Sequence, residues 1–476
     1  MFRNVALVRL KNLGVSWVAP PLGIGYLLKA LKKVAGVRPL FIDCQLENLD
    51  NARLIERLRP LEPMIVGIQV YSVEYASFQT LLPVLRKAFP GTVLVAGGPH
   101  VSGLPDHTLL SNPDLDFAVK GEGEEALPQL ARSLLSGTLD AKLPWIPNLV
   151  YLKNGKCVHN EIRWGDVNAY GAPAWEELRP DRYPPVQHGT FHKSTRVAPI
   201  LTSRGCPFPC TFCAGHINTG KRVRLRDAGN VVDEIESLQY RYGIEEFIIE
   251  DENFTFDRNH VVTFVDELER RGLKCHFSLA SGVRLDGLDE DLVRCLRRMG
   301  TYTVTLGIES GSVRTLRRMK KNWDLQMVLD KIRLLKRHGI MVLGCFILGF
   351  RDETMEDIRK TVAFALDCGI DMAYFGNYLP LPGSVDFKVL LQRGELNLRD
   401  MDWSNYYSYL GKAPYHPREV KAAQLQRVVK QATIRFYLRP RILFTLLKRM
   451  THPIFVKSLL FRASKLFALG KVQTGG

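Results

Sequence analysis

The first 140 residues alternate short apolar runs with stretches of helical period. The runs VALVRL (5–10), PLFIDC (39–44), MIVGIQVY (64–71) and TVLVAGG (92–98) are separated by segments such as PLGIGYLLKALKKVAG and FQTLLPVLRKAF. Strand, helix, strand, strand, helix, strand is the order of a doubly wound parallel sheet. Ligands of such sheets sit at the carboxyl ends of the strands, where the loops here carry Ser72, Gly97, Gly98 and the run Gly121, Glu122, Gly123. Residues 141–194 are rich in Pro, Trp and polar side chains and read as a linker, with one hairpin turned at Asn154-Gly155. From Pro199 the alternation resumes with a longer period through PILTS, FIIED, HFSLAS, YTVTLGIES, MVLGCFILGF and MAYFGNYLPLPG. Six such units predict a full or partial barrel of parallel strands over 195–400, whose chemistry gathers just after each apolar run. A helical region, 401–476, completes the α/β chain.

At 476 residues the chain is long enough for two or three domains. No apolar run approaches the roughly eighteen residues of a membrane span, and the opening MFRNVALVRLKNLG carries charges where a secretory signal keeps an apolar core. A cytoplasmic location is expected. Nine cysteines without such a signal suggest reduced thiols or metal ligands rather than a disulfide scaffold. Cys44, Cys157, Cys275, Cys295, Cys345 and Cys368 are scattered and receive no chemistry. The net charge of +16 is concentrated in residues 416–476, which hold thirteen Lys and Arg against the single acid Glu419. An excess confined to one tail is a property of that tail, so no nucleic-acid partner is expected.

The remaining cysteines form RGCPFPCTFCAG, a C-x3-C-x2-C spacing directly after a predicted strand. Such a loop can place Cys206, Cys210 and Cys213 on three irons of a four-iron four-sulfur cluster and leave the fourth iron open. A zinc site is the alternative, but it wants a second ligand pair, and His216 stands alone. A two-cluster ferredoxin run would carry a fourth Cys and a Pro in fixed register.

With Phe212 just before its last cysteine, this motif resembles the signature of the radical S-adenosylmethionine superfamily. The resemblance implies that the open iron chelates the methionine moiety and that cluster reduction yields a deoxyadenosyl radical. It further implies roles at successive strand ends. In IIEDENF, Glu250, Asp251 and Asn253 are candidates to hold the methionine amine, and in SGVRLD Arg284 would fork onto its carboxylate. In LGIESGS, Glu309 would accept the ribose hydroxyls, and in GCFILGFRDET Gly349 would let adenine approach. Tyr374, Asn377 and Tyr378, around the sixth strand, are candidates to face the substrate. Capping, surface pairing and plain core packing are the alternatives for these residues singly. No side chain is assigned a catalytic role beyond these contacts.

The segments APPLGIGYL, AGGPHVS and VKGEGEEAL resemble the cobalamin-binding domain that precedes many enzymes of this superfamily. The expected architecture is therefore a Rossmann-like cobalamin-binding domain (1–140), the linker (141–194), a partial (β/α)6 radical S-adenosylmethionine barrel (195–400) and a basic helical region (401–476). No G-x-G-x-x-G follows the first strand, which disfavours a dinucleotide. No D-x-H-x-x-G loop is present either, so no histidine is expected beneath the cobalt, which would meet an apolar side chain, water or nothing.

The expected activity is methylation of an unactivated carbon in a small-molecule or lipid-like substrate, with a flavodoxin or ferredoxin as electron donor. Oxidative cyclisation or rearrangement with the same cofactors is the second reading, and a non-catalytic cluster and corrinoid carrier the third. The tail RFYLRPRILFTLLKRMTHPIFVKSLLFRASKLFALGKV sets apolar pairs beside cations at near-helical spacing. It reads as a helical cap on the barrel or as a peripheral contact with the inner membrane surface.

Overall fold

The computed structural model describes residues 2–11, 18–184, 192–321, 323–406 and 413–449. The amino-terminal sheet contains β1 (Arg3–Arg9), β2 (Val37–Asp43), β3 (Ile65–Gln69), β4 (Val93–Gly97), β5 (Phe117–Val119), β6 (Leu149–Lys153) and β7 (Lys156–His159), in the order β2-β1-β3-β4-β5-β6-β7. β1 to β5 are parallel, and β6 and β7 join antiparallel. Alternation along β1 sends Val5 and Leu7 into one core and Ala6 and Val8 into the core on the opposite face. Two expectations are corrected. The Asn154-Gly155 hairpin is part of this sheet's edge and not of a free linker, because β6 pairs with β5. A short helix, Asn51–Leu58, also separates β2 from β3; it is capped by Asp50 and buries only Leu54, Ile55 and Leu58, a signal hidden among charges.

After the stretch to Ile200 that holds β8 (Val197–Ile200), a two-stranded antiparallel pair follows, β9 (Ser203–Arg204) with β10 (Arg224–Leu225). The barrel continues with β11 (Glu246–Ile249), β12 (His276–Val283), β13 (Thr301–Glu309), β14 (Met341–Leu348) and β15 (Met372–Asn377). Its six strands are parallel in the order β15-β14-β13-β12-β11-β8, an open barrel. The outer helices begin at side-chain caps: Asp227, Asp257, Asp289, Asp324, Thr354 and Ser384 each accept a backbone N–H of the first turn. Each cap contributes about 1 kcal/mol.

Of the basic region, helix Ala422–Tyr437 packs Leu425, Val429, Ala432 and Phe436 into the barrel core, and Tyr437 donates its hydroxyl to Ala373 O at 3.0 Å on β15. This part is a cap. Residues 450–476, where most of the expected membrane contact falls, lie outside the described residues. Among the described residues no helix is long and apolar enough to cross a membrane.

Three of the buried carboxyls have their proton affinity raised by this framework. Burial pushes Glu74 and Asp251 up to about 7 and Glu353 up to about 8. Each binds its proton more tightly folded than unfolded, so between the ordinary carboxylate range and these values the folded chain holds more protons. Stability therefore falls as pH rises through that window. Glu353 accepts the N–H groups of Gly349 (2.9 Å) and Phe350 (3.0 Å), which an amide oxygen can also do. In denaturant titrations at about pH 5 and about pH 8, Glu353→Gln should lose less stability than the unaltered chain, by on the order of 2 kcal/mol. Equal losses would remove this carboxyl from the pH dependence.

Candidate active site

The cysteine loop hangs from the β9–β10 stem. Cys206 N–H donates to Gly220 O (3.2 Å), Thr211 N–H to Met319 O (3.2 Å) and Cys213 N–H to Cys210 O (3.2 Å). Gly205 takes φ +99°, and a Cβ there would lie 2.2 Å from Arg222 O, so only glycine fits. Gly215 N–H points at Cys213 Sγ (3.3 Å). Glu252, which the sequence pattern did not single out, braces the loop by accepting from Gly205 N (3.1 Å) and Thr219 Oγ1 (2.5 Å). Asp251 accepts from Thr202 N and from the hydroxyls of Thr202 and Ser203 at 2.6–2.7 Å, so it holds the corner into the stem and not a ligand amine.

Among the described residues no three His, Cys, Asp or Glu side chains converge on a single-ion site. A tetrahedral zinc needs its donors around one point, whereas a cubane cluster takes thiolates on separate irons. Burial pushes all three thiols up, while Lys321 and then Arg284 pull Cys210 back down.

Inside the barrel, Glu309 ends β13 with φ +66°, where its pairing with β14 slips by one residue. That left-handed turn is costly for glutamate and marks a held geometry. Its Oε1 accepts from Lys321 Nζ (2.7 Å), which also donates to Gly307 O (2.8 Å). A Cβ at Gly307 would lie 2.6 Å from Glu309 Oε1 and 2.8 Å from Lys321 Nζ. Lys321 was missed because the run Met319-Lys320-Lys321 looks like an exposed helix end, yet it is buried beneath Trp323 and Phe212, whose rings lie 5.5 and 5.7 Å away.

Arg284 gives Asp286 its Nε (3.1 Å) and Nη2 (2.7 Å), and its guanidinium lies 3.5 Å from the Phe208 ring centre and 4.7 Å from that of Trp323. The fork expected for a carboxylate ligand is thus already on Asp286. Glu250 Oε2 accepts from Ser281 Oγ (2.8 Å) at the carboxyl ends of β11 and β12, and Asn253 is buried at the turn leading to Phe254–Phe256.

Gly349 is placed differently from expectation. At φ +80° a Cβ there would lie 2.5 Å from Leu425 Cδ2, so the glycine makes room for the carboxy-terminal helix and not for adenine. Tyr374 lies opposite Cys345 on the adjacent strand, and both are partly accessible on the barrel's inner face. Asn377 is buried, with Oδ1 lacking a hydrogen-bond partner among the described residues. Tyr378 does not face the barrel interior. It is sealed among Phe350, Tyr415, Met319 and Leu390 past the end of β15.

The other half of the site is a cavity of about 220 Å³ at the carboxyl ends of β3, β4 and β5. Gly23, Gly67, Gly97, Gly98, Gly121 and Gly123 wall it, with Gln69 and Leu127. Ser72 is not in this lining; its hydroxyl meets His100 Nδ1 at 3.0 Å. Glu122 reaches the cavity wall, but both its oxygens are taken. Arg224 forks onto them at 2.6 and 2.8 Å, and Arg204 Nη1 reaches Oε1 at 3.0 Å and Glu124 Oε1 at 2.7 Å. Arg204 and Arg224 are paired residues of the β9–β10 stem, so one carboxylate of the first domain grips both sides of the cysteine loop.

Residues 200–365 match the radical SAM superfamily and residues 14–131 the B12 binding domain. An uncharacterised methyltransferase of Pyrococcus horikoshii is 30% identical over 433 residues, 90% of each chain. The chain belongs to the cobalamin-binding radical S-adenosylmethionine family. An anaerobic magnesium-protoporphyrin IX monomethyl ester cyclase of Cereibacter sphaeroides is 29% identical over 89% of this chain and 68% of its own. The structure of TsrM, a radical S-adenosylmethionine methyltransferase from Kitasatospora setae with cobalamin and a [4Fe-4S] cluster bound, superimposes with a TM-score of 0.70 at 18% identity. It covers 93% of this chain and 90% of that one, a likeness of fold.

For a cobalamin-binding radical S-adenosylmethionine enzyme the residues present fit both groups. The thiols stand on a braced loop beside two cations, and the first domain offers a glycine-walled cavity in which a Cβ on Gly97 would meet nothing nearer than Val119 at 3.9 Å. Glu122→Gln should strand Arg224 without its counter-charge and cost about 3–5 kcal/mol in denaturant unfolding. Glu124→Gln should cost less, since Arg204 keeps Glu122. A loss below about 0.5 kcal/mol for Glu122→Gln would show that the clamp does not hold the domains.

Proposed function

We propose that this enzyme methylates an unactivated carbon of a small-molecule or lipid-like substrate held between the first domain and the barrel. The observation that carries the reading is the Glu122 clamp, which ties the cysteine loop to the glycine-walled cavity of the first domain in one frame. The methyltransferase name of the Pyrococcus horikoshii relative supports it. When bound, the cluster with S-adenosylmethionine supplies a hydrogen-abstracting radical, and methylcobalamin supplies the methyl group.

The chain's own residues position and shield. Cys206, Cys210 and Cys213 hold the cluster, with Gly215 N–H supporting the Cys213 sulfur. Lys321 fixes one oxygen of Glu309, turning the other toward the ribose hydroxyls, and Glu250 and Asn253 serve the methionine amine. Gly97, Gly98, Gly121 and Gly123 seat the corrinoid tail. Tyr374 faces the substrate from β15. Phe208, Phe212 and Trp323 cover the cations beside the loop and keep water from them. An external donor such as flavodoxin or ferredoxin supplies the electron.

Oxidative cyclisation is the second reading, favoured by the cyclase relative. A carrier would have no use for the strained and buried Glu309–Lys321 pair. After anaerobic reconstitution with iron and sulfide and loading with hydroxocobalamin, gel-filtered protein should retain the corrinoid absorbance. With dithionite and S-adenosylmethionine it should yield both deoxyadenosine and S-adenosylhomocysteine. Each Cys→Ala variant should lose the cluster absorbance and deoxyadenosine together. Deoxyadenosine without S-adenosylhomocysteine would transfer the assignment to cyclisation, and no retained corrinoid would sink methyl transfer.

A further inference from the structure

The first sheet reverses direction between β1 and β3, since β2 lies outside β1 and β4 outside β3. In doubly wound sheets of this order the ligand crevice opens at the carboxyl ends of those two strands. The residue that rises there from β3 is Tyr71. Its backbone is fixed, because its N–H donates to Glu74 Oε2 (3.1 Å) and its carbonyl accepts Glu74 N–H (2.9 Å). The next residue, Ser72, is tied to His100 of the β4 loop (3.0 Å). Yet the Tyr71 side chain is 45% exposed, a large ring left uncovered on a rigid base.

The crevice around the ring belongs to both domains. The cavity beside it is lined by Gln69 and Gly98 from the first domain and by Leu201, Arg204, Asn218 and Thr219 from the other side. Tyr71, two residues beyond Gln69, therefore lies at the edge of a cavity shared by the first domain and the segment that carries the cysteine loop. The glycine cavity opens beside it: Gln69 lines the cavity, and a Cβ on Gly98 would lie 2.9 Å from Val70 O, one residue before Tyr71. A corrinoid with its tail in that cavity would have its ring over this edge.

The described histidines of the two helices after β4 are engaged elsewhere. The segment from Leu10 to Pro21 contains none. His100 is fully buried against Tyr75, with its ring edge-on to Trp403, and His107 packs on the far side of Tyr75.

We propose that Tyr71 is the side chain lying against the lower face of the bound corrinoid, at the axial position where other cobalamin proteins place a histidine. The proposal rests on the corrinoid reading above and replaces the expectation of an apolar side chain, water or nothing with a named phenol. A neutral phenol is a poor ligand, which leaves the metal weakly held from below and suits exchange of a group above.

The test uses the full chain, reconstituted, loaded with cobalamin and reduced to the cobalt(II) state for electron paramagnetic resonance. The unaltered protein and Tyr71→Phe should both show cobalt lines without nitrogen splitting. Tyr71→His should split each line into a triplet, because imidazole nitrogen now reaches the metal. Unsplit lines in Tyr71→His with corrinoid bound in unchanged amount would overturn the assignment, as would a triplet in the unaltered protein.

Should Tyr71→His not load, protein grown with ring-deuterated tyrosine supplies an independent measure. Deuterium coupling to cobalt(II) is expected and should vanish in Tyr71→Phe; no coupling in the unaltered protein, or coupling that survives the substitution, overturns the assignment. An unaltered protein that retains no corrinoid fails at the first step, and that result removes the corrinoid reading itself rather than the choice of residue.

Discussion

Everything in the site depends on one carboxylate being shared by two arginines. Glu122 meets Arg204 and Arg224 on opposite strands of the stem that carries the cysteine loop, and Glu124 shares Arg204. All four side chains are largely shielded from water, so each brought a desolvation cost that the pairing offsets only because the geometry is tight. The two Nη groups of Arg224 donate in addition to Gly165 O (2.7 Å) and Thr219 O (2.8 Å). Arg204 lies over the Tyr26 ring at 4.4 Å. A stem of two residues per strand could not orient a nineteen-residue loop by its own hydrogen bonds; an ionic grip from the neighbouring domain does so.

A second contact closes the frame from the opposite side. Gly103, in the helix after β4, meets the loop after β15 so closely that a Cβ on it would lie 2.5 Å from Pro382 O. A Cβ on Gly383 would in turn lie 2.4 Å from Ile217, in the helix that follows the cysteines. The first domain thus touches the cysteine segment through charge at its stem and through close glycine packing beyond its last thiol. Radical chemistry between two separately bound cofactors needs a fixed distance and little water, and both follow from this two-sided bracing.

The strand ends were legible in the sequence because barrel and Rossmann-like strands are buried runs bounded by turn residues, and the C-x3-C-x2-C spacing is nearly unambiguous after such a strand. The partners of the charged groups were not legible. Arg284 read as a cation awaiting a carboxylate, and Asp286 two residues later already occupies it. Glu122 read as part of a ligand loop, and its arginines stand 82 and 102 positions away. Lys321 was lost among neighbouring cations since burial of one lysine in a basic run leaves no periodic trace. Pairing across such separations is decided by topology, which local pattern does not encode.

Glycine shows the same limit most sharply, because one residue type serves two opposed purposes here. Gly97 has only Val119 near the position of a Cβ, at 3.9 Å, and nothing nearer, so its missing side chain leaves space open in the cavity. Gly205 and Gly349 are instead filled from outside, by Arg222 O at 2.2 Å and Leu425 Cδ2 at 2.5 Å, so their missing side chains are consumed by the protein itself. All three sit at or just after strand ends, where a ligand role is the natural first reading. What distinguishes them is whether the neighbouring atom belongs to the chain. By that criterion Gly349 makes room for Leu425 and leaves none for a ligand, while Gly307 shows how closely this protein packs polar groups against bare backbone.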